Sequence, residues 1–181
     1  MAWRDASISH VKNGIYGEMF VSAMLAKAAV CDDITEIIKT GLSQVPSKSR
    51  LAHEVGRVLD WYASGVPEEE VFSRIHEEWD EFDQHNWCHT VSNAMIVAAC
   101  LLYGEKDFSK TVGIAVQTGF DTDCNGATAG SVLGMILGER HIPERWPAAF
   151  NKTLRTSIAG YHEVTVDELT EKTLSLMVRD R

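Results

Sequence analysis

No run of about 18 apolar residues free of charge occurs in this 181-residue chain, and that absence argues against a membrane-spanning helix. Clustered basic residues are missing as well. The chain carries 17 Lys+Arg against 26 Asp+Glu, a formal net charge of −9. Because phosphate neutralisation needs grouped Lys and Arg, nucleic acid is not the expected partner. Cysteine is sparse: Cys31, Cys88, Cys100 and Cys124 form no Cys-x-x-Cys pair. Four scattered thiols argue against the disulfide framework of short secreted chains and for a reducing, cytoplasmic location. There is no secretory leader pattern, since Arg4, Asp5 and Lys12 precede the apolar stretch from Ile15 to Val30, itself broken by Glu18 and Lys27. Period-2 strands flanked by turn signals, repeats of about 20–50 residues and low-complexity segments are also lacking.

What is present is helical. Hydrophobic residues make up 45% and charged residues 24%, values of a globular chain, and at about 150 residues per domain the length predicts a single domain. Gly14 to Val30 reads as a mostly buried helix. Asp33-Ile-Thr-Glu36 is a capping box, with Gly41 where a helix stop would stand. Ser47 or Ser49 opens a helix ending before Gly65, and Pro67 followed by Glu68, Glu69 and Glu70 opens another. Further helices are predicted from Ser92 to Tyr103, from Asp107 or Ser109 to about Thr118, and from Cys124 to Leu137. Thr165-Val-Asp-Glu168 is a second capping box that opens the last one. The fold class is all-α.

The most informative stretch runs from Gly119 to Gly138. Asp121 and Asp123 flank Thr122 at the mouth of a helix, so both carboxylates can face one space, and hard cations take carboxylate oxygens. N-terminal capping explains the same two residues without a cation, and from spacing alone both readings stand. Behind them Gly126, Gly130, Gly134 and Gly138 form an i+4 stripe. Each glycine inside a helix costs about 1 kcal/mol relative to alanine, so the stripe predicts a neighbouring helix packed closely on bare backbone.

Gly119-x-Asp121-Thr122-Asp123 followed by that glycine helix resembles the C-terminal signature of the ADP-ribosylglycohydrolase family. The upstream segments His89-Thr-Val-Ser-Asn93, Leu102-Tyr-Gly-Glu-Lys-Asp107-Phe108 and Ala6-Ser-Ile-Ser-His10-x-x-Asn13-Gly14-x-x-Gly17-Glu-Met are similar to the family's in order. The resemblance covers roughly residues 3 to 140. It implies an all-α helical bundle with a dinuclear Mg2+ or Mn2+ centre, hydrolysing ADP-ribosyl linkages. It assigns metal binding to Asp121 and Asp123, and substrate binding to His10, Asn13, Gly14, Gly119 and Thr122. It identifies no residue as the one that positions the attacking water.

Two departures accompany the resemblance. Cys124 stands where the family usually has Thr or Ser, and a thiol is a softer donor than a hydroxyl. The family's other aspartate cluster precedes the segment matching His10, and the opening Met-Ala-Trp-Arg-Asp-Ala-Ser reads like the middle of a protein. The chain is therefore expected to be the C-terminal part of a larger domain, inactive alone, with self-association or a complementing N-terminal segment as partner. A non-catalytic module for ADP-ribose or a nucleotide is the alternative function.

Other candidates read as structural. Cys31-Asp32-Asp33 is better explained as a helix cap. His85, Cys88 and His89 have zinc-like spacing but no second cluster. His10 has a local hydrogen-bonding role as its alternative to the substrate. The acidic stretch Glu77 to Asp83 reads as a solvated helix face with Trp79 and Phe82 turned inward.

Overall fold

A computed structural model describes residues 1–177. The chain is all-α, with 65% helix and 3% strand, and divides into two compact units, Met1–Glu139 and Arg140–Arg181. The first unit holds α1 (Ala2–Ala6), α2 (Asn13–Ala28), α3 (Ile34–Ser43), α4 (Arg50–Ala63), α5 (Glu68–Glu78), α6 (Thr90–Tyr103), α7 (Phe108–Gln117) and α8 (Thr122–Leu137).

The packing of this unit follows from α6. Its sequence is apolar all round, the pattern of a helix buried on every side. It touches α2, α3, α4, α5, α7 and α8, and every residue from Met95 to Leu101 is 4% exposed or less. The helices around it need only one apolar stripe. On α4 that stripe is Leu51, Val55 and Val58, spaced to share a face.

Helix starts follow local capping chemistry. Asp33 Oδ1 accepts from Glu36 N at 3.1 Å, Ser49 Oγ from Ala52 N at 3.1 Å, and Asp107 Oδ1 from Lys110 N at 2.7 Å. Each bond satisfies an amide that the helix itself leaves open. Asp33 is thus a cap, as expected.

Gly41 differs from its expected place. It lies inside α3, where a Cβ would come within 2.6 Å of the Phe20 ring and 2.9 Å of Met24, so its role is to let α2 approach. The predicted close neighbour of the glycine stripe is α7. A Cβ on Gly126 would lie 3.3 Å from Val116, and one on Gly130 3.5 Å from Val112. Gly138, with φ +73°, ends the helix instead of packing within it.

The acidic stretch is also corrected. α5 stops at Glu78, and Phe82 is 89% exposed, although Trp79 is buried. Asp80 Oδ1 accepts from Phe82 N at 2.9 Å and Asp83 Oδ1 from His85 N at 2.7 Å. These local turns offer the backbone a partner in competition with helix.

A 3-10 turn, Glu139–His141, spans the boundary of the units. The second unit holds α9 (Arg145–Ala148), strands β1 (Thr153–Arg155) and β2 (Glu163–Thr165), and α10 (Val166–Met177). The strands pair antiparallel with Leu154 opposite Val164, and Thr165 Oγ1 caps α10 through Glu168 N at 3.1 Å. Strands of three residues are too short to show alternation in a sequence. Among the described residues no helix is long and apolar enough to cross a membrane.

Candidate functional site

The chain enters the site through a left-handed turn. Gly119 and Phe120 have φ of +85° and +59°, a region glycine visits freely and phenylalanine does not. A Cβ on Gly119 would overlap Glu81 Oε2, and that same oxygen accepts from Phe120 N at 3.3 Å. The buried Phe120 ring packs against His76, centroids 5.0 Å apart. His76 Nε2 in turn donates to Thr118 O at 2.9 Å. Gripped by α5 and the loop after it, the turn delivers Asp121 to the start of α8. Gly119→Ala is therefore expected to destabilise the chain by about 1–3 kcal/mol, through both strain and collision with Glu81. Thermal unfolding checks this.

Asp121 occupies the N-cap position of α8, yet its side chain makes no capping bond. Asp123 sits in the first turn. Ligand atoms of Asp121, Asp123 and Cys124 lie within 4.8 Å of one another, the one such group of three among the described residues. No Lys or Arg pairs with either carboxylate among the described residues. A hydrogen bond to Asp121 pushes the Cys124 thiol up from its ordinary pKa, with burial and the two nearby carboxylates acting in the same direction. Two oxygen donors and a sulfur, unbalanced by a protein cation, fit one divalent cation with water completing its shell.

Asn93 on α6 holds this cluster in place. Its Nδ2 donates to Trp87 O at 3.1 Å and His89 O at 3.0 Å, which directs Oδ1 toward α8. There Oδ1 accepts from Asp121 N at 3.2 Å and from Asn125 Nδ2 at 2.7 Å. Asp121, Cys124, Asn93 and Asn125 line a cavity of ≈ 180 Å³ whose apolar wall includes Phe20, Val21 and Val97. Gly17 also lines it, and a Cβ there would overlap Thr90, so glycine is what lets α2 meet the start of α6. The cavity therefore receives the first turns of α6 and α8 and the second turn of α2. Converging helix N-termini present partial positive charge and free N–H groups.

None of the expected substrate residues lines this cavity. His10 is exposed, with Nδ1 2.7 Å from Ser9 Oγ, and packs against Gly14, where a Cβ would come within 2.9 Å of its ring. Asn13 begins α2, and its Oδ1 accepts from Leu51 N at 3.3 Å, tying α2 to α4. No side chain caps α2. Gly119 forms the turn and Thr122 begins α8. Two wider grooves, of ≈ 470 Å³ beside Asp32 and Asp33 and ≈ 490 Å³ beside His76, contain no comparable donor group among the described residues.

His85 and Cys88 are exposed, and neither joins a ligand group with His89 among the described residues. His89 is the N-cap of α6: its Nδ1 accepts from Val91 N at 3.1 Å. Its ring packs on Trp79, centroids 4.9 Å apart, with Arg50 5.6 Å from the Trp79 centroid. Burial first, and Arg50 second, lower its pKa from the ordinary 6.5. The unfolded chain then binds more protons between the folded value and 6.5, so stability rises with pH across that window. The contribution is complete above 6.5 and lost as pH falls through the folded value. His89→Asn, which keeps a capping acceptor, is expected to flatten the dependence of Tm on pH there.

Sequence reasoning missed Glu81, Asn93 and Asn125 as site-building residues. Asn93 stood in a quoted motif. Glu81 carried no signal, because its partner lies 39 positions away. A family model described as ADP-ribosylglycohydrolase matches residues 1–177. Nothing among curated proteins or solved structures matches the chain.

Proposed function

The chain belongs to the ADP-ribosylglycohydrolase family, and on that premise we propose that it is a divalent-cation-dependent hydrolase of N- or O-glycosidic ADP-ribosyl linkages. Membership implies hydrolysis of ADP-ribosyl linkages in ADP-ribosylated substrates. The observation that carries the cation requirement is the Asp121–Asp123–Cys124 cluster, free of capping bonds at Asp121 and without a Lys or Arg partner among the described residues. Asp121 and Asp123 are assigned as ligands, with Mg2+ or Mn2+ the natural match to carboxylate oxygen.

A bound divalent cation supplies Lewis-acid polarisation of sugar hydroxyls and a more acidic bound water. The protein's own residues do the rest. Asn93 holds the Asp121 amide and Asn125, so the first turn of α8 is rigid before substrate arrives. The apolar wall of Phe20, Val21 and Val97 keeps that side of the cavity dry and strengthens electrostatic interactions within it. The uncapped start of α2, with His10, Asn13 and Gly14, is assigned to the diphosphate. Gly17 lies one turn further along, about 6 Å on the helix axis. Gly119 and Thr122 shape the backbone entrance. These helix ends reverse, locally, the field of a chain with net charge −9.

A second reading, an ADP-ribose-binding module without turnover, is favoured by the single three-donor cluster among the described residues. One cluster holds one cation, whereas a dinuclear centre needs more ligands. Release of ADP-ribose from an ADP-ribosylated protein separates the two. Release that needs Mg2+ or Mn2+ and stops with chelator supports the hydrolase. Cation-dependent binding of ADP-ribose with no release supports the module.

A further inference from the structure

We propose that Cys88 and Cys124 form a reversible disulfide across the cavity where α2, α6 and α8 meet, so that oxidation closes the cavity beside Asp121 and reduction reopens it. The expected effect on turnover rests on the hydrolase reading; the bond itself does not.

Position selects this pair. All four cysteines are free thiols. Cys100 is buried, and burial pushes its thiol up to about 12, which keeps it unreactive. Cys31 is half-buried and does not line the cavity. Cys88 and Cys124 are both exposed, and both line the same ≈ 180 Å³. A space of that volume is about 7 Å across, which matches the Cα separation of about 4.4–6.8 Å that a disulfide needs.

The backbone segments that carry the two thiols are already joined. Asn93 Nδ2 donates at 3.1 Å to Trp87 O, the carbonyl of the peptide bond that leads into Cys88. Oδ1 of the same amide accepts from Asp121 N at 3.2 Å and from Asn125 Nδ2 at 2.7 Å, and those two residues bracket Cys124 at the start of α8. One planar amide thus spans the gap between the segments. Cys124 is fixed to a helix, whereas Cys88 lies in the turn ahead of α6. Adjustment of that turn brings the sulfurs to a bonding distance of about 2.05 Å.

The oxidant is a low-molecular-weight disulfide, with oxidised glutathione as the probe. One protein thiolate attacks it, forming a mixed disulfide and releasing one glutathione thiolate. The second protein thiolate attacks the protein sulfur of that mixed disulfide and releases the other glutathione. Two protein thiols become one bond, one small disulfide becomes two thiols, and the two protons pass to the released glutathione. Cys124 Sγ lies within 4.8 Å of carboxylate oxygens of Asp121 and Asp123, so the bridge lies beside both carboxylates and fills space a sugar would enter. Exposed thiols of this kind serve transient redox sensing rather than permanent cross-linking.

The test incubates the full chain over a series of reduced-to-oxidised glutathione ratios, alkylates it in denaturant, and reads intact mass and peptide maps. A monomer lighter by two hydrogens is expected, with Cys88 linked to Cys124 and with Cys31 and Cys100 alkylated. Cys88→Ser forms no link, whereas Cys31→Ser forms it as the parent chain does. After removal of glutathione, the linked protein shows cation-dependent release of ADP-ribose lowered by about tenfold or more, restored by dithiothreitol. Mixed disulfides without the Cys88–Cys124 link, a disulfide-joined dimer, or a link that leaves release unchanged overturns the proposal. If the link forms but neither redox state releases ADP-ribose, the disulfide stands and the hydrolase reading alone falls.

Discussion

Asp121→Asn is expected to abolish the proposed cation-dependent release of ADP-ribose, a loss of about two orders of magnitude or more, while Tm moves by only a few degrees. Asp121 stands at the N-cap position without a capping bond, so replacing it removes no helix-starting interaction. Its amide N–H, held by Asn93 at 3.2 Å, is unchanged by the substitution. The variant loses a charge near the helix dipole, worth about 0.3–1 kcal/mol, and gains relief from the neighbouring Asp123. For a chain of this size that net change corresponds to roughly 2–4 °C or less. A large functional loss beside a small stability change is the signature of a ligand rather than a cap. Unfolding curves and release assays on one preparation measure both.

Asn93→Ala has the opposite profile: it disrupts fold and site together. Four hydrogen bonds meet at this amide, two to the carbonyls of Trp87 and His89 and two from α8. Asn125, 2% exposed, loses the only partner of its amino group among the described residues, and a buried donor left unmet carries its full desolvation penalty. The expected destabilisation is about 2–4 kcal/mol, or roughly 5–15 °C in Tm. Because Asp121 N also loses its anchor, divalent-cation affinity should weaken by about tenfold even below the transition. An unchanged affinity in the folded variant would separate Asn93 from the site.

The contrast between these residues shows what could be read from the chain itself. Helix starts were legible because capping is local: Asp33, Ser49, Asp107 and Thr165 each bond an amide three positions on. The buried central helix was legible from its unbroken apolar composition. Gly41 was not, since a glycine that stops a helix and one that admits the Phe20 ring look alike until the second helix is in place. Phe82 was misplaced for a related reason: Asx turns at Asp80 and Asp83 override helical spacing. The donor cluster lies within four consecutive residues, so sequence brought it together. Its supports, Glu81 and Asn93, lie 39 and 28 positions from the residues they hold, and no local pattern carries such a distance.

On the proposed reading, the chain binds ADP-ribose through a cation held by Asp121 and Asp123. Calorimetric titration of ADP-ribose into the full chain, with Mn2+ or Mg2+ and again with chelator, tests it most directly. Binding that appears only with the cation, and is absent from Asp121→Ala under both conditions, is the predicted result. Binding of equal affinity in chelator, retained by Asp121→Ala, would contradict it.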